Sequence, residues 1–191
     1  PRRSRLFTVT GGNVVGVEQG SATGPLTLSG FGPGLMKEHD QDGYVMLLAE
    51  SLLLQAEAAE RGFITGDPKA LFDQALLASC NVLGVTPGNA TAYLASVDVV
   101  PGKGYTASTD KIEAIMYQKS IALCSINGLE SWIEYTRTGY INNVPMPLGA
   151  TSPTGAKPMR LMYPTSELAS NSANVPALSV NQSFTTAPFW K

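Results

Sequence analysis

Between Gln41 and Arg61 the apolar residues recur at helical spacing, with Val45, Leu48, Ala49, Leu52, Ala56 and Ala59 on one face. Leu47, Leu54 and Ala58 add a second stripe, which predicts a helix packed on more than one side, as in a stack of helix pairs. Gly62 suits the residue just past its end. A second helix starts cleanly: Asp67 can cap the free amides of the first turn, and Pro68 sits where its missing N–H costs nothing. Leu71, Phe72, Ala75, Leu76, Ser79 and Val82 form its buried face, and Gly84 ends it. The link from Gly62 to Gly66 is short, so the two helices fold back antiparallel. A third helix opens at Asp110, with Glu113 three residues on as a variant capping box. Ile112, Ile115, Met116, Ala122, Leu123 and Ile126 line one face. Asn127-Gly128 bends or breaks it, and it continues to about Arg137 with Trp132 and Ile133 pointing inward.

Outside these stretches the periodicity fades. Residues 1–40 are Gly-rich and irregular, though Leu6–Thr10 and Val14–Val17 around Gly11-Gly12-Asn13 predict a short β-hairpin. Residues 84–107 read as loop, with one helical turn at Ala92–Ser96. From Thr138 to Lys191, Pro, Gly, Asn and Ser dominate. Met159, Leu161, Met162, Tyr163, Leu168, Phe184, Phe189 and Trp190 punctuate that stretch, which argues for an ordered segment wrapping over the helices rather than a disordered tail. The fold expected is mainly α: antiparallel helix pairs over 41–137, an irregular segment over 1–40 and an extended tail over 138–191.

Composition narrows the function. Charged residues make up only 15% of 191 residues and the net charge is −2. Basic residues cluster only at Arg2, Arg3 and Arg5, so nucleic acid is a poor fit. No apolar run is long enough to span a bilayer, since Val45–Leu54 is interrupted by Glu50 and Ser51. The chain opens at Pro1 with no signal peptide and reads as a mature or truncated chain, any export signal or lipid anchor lying upstream. Cys80 and Cys124 sit in helical patterns and read as free, buried thiols, with a pairing between them left open.

Little catalytic chemistry is on offer. His39 is the only histidine, which excludes a multi-histidine metal site, and its place beside Glu38, Asp40 and Asp42 reads as a solvated helix entry. Those three acids could ligate a hard cation but lack the EF-hand layout. Ser108-Thr109-Asp110-Lys111 matches S-x-x-K, while Ser125-Ile126-Asn127 and Arg137-Thr138-Gly139 approach the other motifs of penicillin-binding acyl-enzymes. Two of the three are off by one residue, and all crowd into one helix and a half instead of converging from separate elements. No cofactor is indicated. Lys119 falls in an apolar stripe and must find a partner, because burying it unpaired costs several kcal/mol. Glu50, also set in an apolar face, and Glu130 are the expected partners in a structural ion pair. Tyr105, Tyr140 and Trp190, in predicted loops, are the candidates for stacking on a sugar; Trp132 reads as a core anchor.

Three stretches together resemble one family. Tyr44–Glu50 through Glu57-Ala58-Ala59-Glu60-Arg61-Gly62 is similar to the "LLxAEAxxRG" helix of SusD/RagB proteins. Ile112–Lys119 with Glu130-Ser131-Trp132 and Arg137-Thr138-Gly139 resembles that family's "I-x-x-Q-K … E-x-W-x-x-x-R-R-T-G", with Thr136 in place of the first arginine. Pro158–Pro164 with Glu167 and Asn171 resembles its closing "P-x-R-x-x-Y-P-x-x-E-x-x-x-N". The resemblance implies the C-terminal part of a SusD-like domain with TPR-like helix pairs. It also implies a non-catalytic nutrient-binding lipoprotein on the outer membrane of a Bacteroidetes-type bacterium, capturing glycans, peptides or other oligomers. Its implied partner is a SusC-like TonB-dependent transporter, over which it acts as a lid. The shared motifs mark the scaffold, so ligand residues do not transfer. A TPR-like protein-interaction scaffold is the competing reading, and a serine acyl-enzyme a remote third.

Overall fold

The computed structural model describes residues 1–189 apart from Thr151, Pro153 and Thr154. It is mainly helical. Helices α2 (Leu48–Glu60), α3 (Pro68–Val82), α4 (Pro87–Asp98), α5 (Lys111–Leu123) and α6 (Gly128–Thr138) carry the scaffold. Short turns α1 (Arg3–Leu6), α7 (Thr165–Ser170) and α8 (Gln182–Thr185) flank it. α2 packs on α3 and α5, α3 on α4, and α5 on α6. The main core lies between them: Leu53 and Ala56 meet Phe72, Ala75 and Leu76, with Val97, Ala114, Ile115 and Met116 closing over them. Phe72 is fully buried, which is worth about 2–3 kcal/mol relative to exposure.

The cap at Asp67 forms as expected. Its carboxylate accepts from the amides of Lys69 (2.9 Å) and Ala70 (3.1 Å), with Pro68 opening the helix. Asp110 does the same for α5, accepting from Ile112 (2.9 Å) and Glu113 (3.4 Å). Asn127-Gly128, expected to bend or break the helix, breaks it, and Asn127 caps the new one: its side chain accepts from the Glu130 amide.

Four expectations need correction. The first helix begins at Leu48, not Gln41. The Gln41 amide accepts from the Lys37 N–H (2.8 Å) and donates to the Leu35 carbonyl (3.0 Å), so it stabilises an upstream turn that competes with helix. The buried face is also rotated. Ala49, Glu50, Leu53, Ala56 and Glu57 face inward, while Val45 is 97% and Leu48 67% exposed. Two of the inward residues are acids, which a hydrophobic pattern passes over. The stretch 84–107 holds a full helix, α4, rather than loop. Pro87 starts it, but only Ala90 and Val97 are buried along it, too sparse a stripe to show in the sequence. The predicted hairpin is reduced to its turn: Thr10 and Asn13 exchange backbone hydrogen bonds across Gly11-Gly12, both at positive φ, while Leu6 ends α1 instead of starting a strand.

The terminal segments tie back onto the helices. Leu6 packs with Cys80, Leu83, Val85 and Ala90 in a second cluster. Arg2 is 3% exposed, and its guanidinium donates to Ser79 of α3 (2.9 Å), Tyr93 of α4 (2.8 Å) and Gln118 of α5. One arginine therefore pins three helices. In the C-terminal segment the Trp132 indole donates to the Pro158 carbonyl (3.2 Å), the Met159 amide donates to the Ser183 carbonyl (2.8 Å), and Ser183 and Phe184 are buried. Cys80 and Cys124 are both free thiols.

Candidate functional site

Lys119 has its ion pair, but with neither Glu50 nor Glu130. Its ammonium lies 2.7 Å from Glu134 on α6, with the two side chains 2% and 7% exposed. Lys119 sits on the α5 face that meets α6, and α6 turns Glu134 toward it while Glu130, a turn away, is only half-buried. Glu50 is buried without an ion pair among the described residues. Glu134 also accepts from Arg137 (2.5 Å), and Arg137 reaches across to Glu57 of α2 with a two-pronged pair (2.7 and 2.6 Å). Arg61 closes the chain on Glu57 (2.8 Å). Burial raises the Glu57 carboxyl, but hydrogen bonds from Arg137 and Arg61 outweigh it and hold it below its ordinary range. This network clamps the C-terminal end of α6 against α2.

That clamp aims the segment leaving α6. Gly139 caps the helix at φ 79°, a left-handed conformation that favours glycine. Tyr140 follows, its hydroxyl donating to the Asp110 carboxylate. Asp110 thus caps α5 with one oxygen and holds Tyr140 with the other. The bond holds the Asp110 carboxyl below its usual range and pushes the Tyr140 phenol up to about 12. Ile141 has φ 65°, a strained conformation for a β-branched residue.

Residues 138–143 form one wall of a cleft of about 700 Å³. The facing wall is the 101–104 loop, with Glu113, Tyr117 and Ser120 of α5 as floor. The loop is held rigidly. Ser108 accepts from the Gly102 amide (2.9 Å) and donates to the Gly104 carbonyl (2.6 Å), and Gln118 donates to the Lys103 carbonyl (2.7 Å). Lys111 donates to the carbonyls of Tyr105 (2.8 Å) and Ser108 (2.7 Å). A Cβ on Gly104 would stand 2.1 Å from the Val97 carbonyl oxygen, so no larger residue fits there. Inside the cleft Tyr117 offers a ring with the Lys103 ammonium 5.3 Å from its centre, and Asn142 and Asn143 bring side-chain amides.

Of the candidates read from sequence that fall among the described residues, only Tyr140 lines this cleft. Tyr105 is a core residue: 9% exposed, its ring lies 5.6 Å from Phe72 and its hydroxyl donates to Glu60, so it is closed to ligand. Trp190 lies outside the described residues. Trp132 is half-buried and lines a second cavity. Tyr117, Asn142 and Asn143 were missed. Tyr117 lies within a helical pattern, and nothing in the tail sequence marks two asparagines as converging. The acyl-enzyme constellation does not assemble: Ser108 is 2% exposed and spent on the loop, and Lys111 binds carbonyls. Among the described residues no group of three His, Cys, Asp or Glu side chains is placed to hold a metal ion.

The structure is thus a set of helix pairs locked by charges, with a cleft lined by tyrosine and asparagine beside α5. The sequence matches the family SusD-like_2, "Starch-binding associating with outer membrane", over residues 1–164, and the chain belongs to it. Three solved structures share the fold. A SusD homolog from Bacteroides fragilis is 24% identical (TM-score 0.60), covering 77% of this chain and 33% of its own. A chitin-binding protein is 29% identical (TM-score 0.60), covering 77% and 32%. An outer membrane protein from Bacteroides vulgatus, described as probably involved in nutrient binding, is 26% identical (TM-score 0.58), covering 76% and 33%. The chain therefore spans about a third of the length of the structures it resembles. No curated protein matches its sequence significantly. No helix among the described residues is long and apolar enough to cross a membrane.

Proposed function

We propose that this chain is the C-terminal portion of a non-catalytic, glycan-binding protein of the bacterial outer membrane. In this reading the cleft beside Tyr117 and Tyr140 contacts the sugar. The observation that carries it is that cleft, in a member of a family described as starch-binding. A tyrosine ring stacks on the apolar face of a pyranose, and neighbouring amides both donate to and accept from hydroxyl groups. Lys103 and Glu113 offset one another, which suits a neutral ligand. The fixed 101–111 loop keeps the site preformed, so little ordering entropy opposes binding. A chitin-binding neighbour and Bacteroides relatives support the same class. The full-length protein would hang from a lipid anchor on the outer face and hand its cargo to a SusC-like TonB-dependent transporter.

Affinity electrophoresis through gels containing soluble starch or glycol chitin tests this. Retardation by either polysaccharide is expected, with Tyr117→Ala and Asn142→Ala weakening it about tenfold, the cost of a lost stacking or amide contact of ~1.4 kcal/mol. Unchanged mobility in both gels, or equal retardation of wild type and both variants, refutes the site.

A further inference from the structure

A second cavity, of about 680 Å³, lies on the other side of Ile141 from the cleft. Its walls join the N-terminal segment to two consecutive helices more than a hundred residues further on. Leu6 and Phe7 enter from the N-terminal segment, Ile121 and Cys124 from α5, and Trp132 and Tyr135 from α6. These walls have little to offer a sugar. The Trp132 N–H is committed to Pro158, Ser120 donates to the Tyr117 carbonyl (2.7 Å), and Ser131 donates to that of Asn127 (3.5 Å). One face of Tyr135 is covered by the Lys157 ammonium at 4.6 Å.

The charges around the cavity are of one sign. Arg2, Arg3 and Lys157 line it, and among the described residues no aspartate or glutamate does. Arg2 is spent on Ser79, Tyr93 and Gln118. Arg3 and Lys157 meet only neutral groups: Arg3 donates to the Gly12 carbonyl (3.0 Å), and Lys157 donates to that of Asn142 (3.3 Å) and lies over the Tyr135 ring. Neither has a carboxylate partner among the described residues, although acids outnumber bases in the chain by 15 to 13. An apolar chamber of this volume suits a small ligand, and two cations without counter-ions specify the sign of its head group.

We propose that this cavity is a separate binding site for a small amphiphilic anion, an alkyl or aryl body carrying one acidic head group. The body lies against Phe7, Ile121 and Trp132, and the head group meets Lys157 and Arg3. The assignment is independent of glycan binding in the neighbouring cleft. Lys157 also bonds the Asn142 carbonyl, so occupancy here bears on the cleft wall.

The test uses two fluorescent probes of similar shape: the anion 8-anilinonaphthalene-1-sulfonate and the uncharged N-phenyl-1-naphthylamine. The anion is expected to bind at one saturable site, about tenfold or more tighter than the neutral probe, and dodecanoate is expected to displace it. Lys157→Glu should weaken the anion about tenfold and leave the neutral probe unchanged, with Lys157→Gln giving an intermediate loss if the reversal disturbs folding. Bound dodecanoate should also slow alkylation of Cys124, the less buried of the two thiols. Equal affinity for both probes, many weak sites, or an anion affinity indifferent to Lys157→Glu and Lys157→Gln overturns the proposal.

Discussion

The Lys119–Glu134–Arg137–Glu57 network makes an asymmetric prediction. Replacing Glu134 with leucine leaves the Lys119 ammonium, 2% exposed, with no anion within reach. Breaking a buried pair in this way costs about 3–5 kcal/mol, because the remaining charge loses its solvent and gains nothing. Replacing Lys119 with methionine is different. Glu134 keeps its pair with Arg137, which keeps Glu57 as well. That variant should lose only about 1 kcal/mol, the net worth of one hydrogen bond. In the double variant the stranded charge is gone and two apolar side chains fill the gap. It should recover most of what Glu134→Leu lost, a coupling of about 2 kcal/mol or more.

Urea unfolding followed by circular dichroism measures all four proteins. With a slope of about 2 kcal/mol per molar, Glu134→Leu should lower the midpoint by roughly 1.5–2.5 M and Lys119→Met by about 0.5 M. Equal losses in the two single variants, or a double variant no better than Glu134→Leu, would show that Lys119 is solvated in solution and that the clamp on α6 is not built as described.

Arg2→Met removes the shared donor of Ser79, Tyr93 and Gln118 and should cost about 2–4 kcal/mol, read as a fall in midpoint; a loss below 0.5 kcal/mol would mean that the N-terminal segment does not dock. Gly104→Ala forces a methyl against the Val97 carbonyl and should cost about 3 kcal/mol or more and abolish binding in the cleft, whereas a stable variant would contradict the packing of the 101–104 loop. Glu57, held below its ordinary value of 4.5, stabilises the fold fully above that pH and progressively less as pH falls through its lowered value; Glu57→Gln should flatten this acid limb in a pH series of melting temperatures. Tyr140, raised from 10.0 to about 12, stabilises the fold fully below pH 10 and loses that contribution as pH climbs through 12, so Tyr140→Phe should remove one late tyrosinate step from the absorbance at 295 nm.

The sequence is most readable where a residue acts on its own neighbours. Asp67 and Asp110 cap the helices they precede, and their chemistry is complete within three residues. Apolar periodicity locates α3, whose buried face is apolar but for Ser79, and α5, where Ala114, Ile115, Met116, Ala122 and Leu123 outweigh the buried Gln118 and Lys119. It misplaced the face of α2 because Glu50 and Glu57 lie on the inner side, and Glu57 is held there by Arg137, eighty residues away. It missed α4, which contributes only Ala90 and Val97 to the interior. Lys119 was recognisable as a charge needing a partner, but the choice among acids depends on how α6 turns against α5, which no local spacing encodes.

The same distinction explains why family membership is legible and the cleft is not. The residues that carry the resemblance include Glu57, Arg61, Lys119 and Arg137, and the structure puts all four into one charge network between α2, α5 and α6. Desolvated charges tolerate little substitution, since each needs an opposite charge at fixed geometry, so they leave a signature that can be read as a motif. Tyr117, Asn142 and Asn143 belong to no such network: they line the cleft without an ion pair to fix their identity. The charge network fixes where α6 ends, Gly139 and Asp110 fix where Tyr140 goes, and the cleft wall follows from both. A rigid frame that positions a wall without dictating its side chains lets one scaffold carry different surfaces.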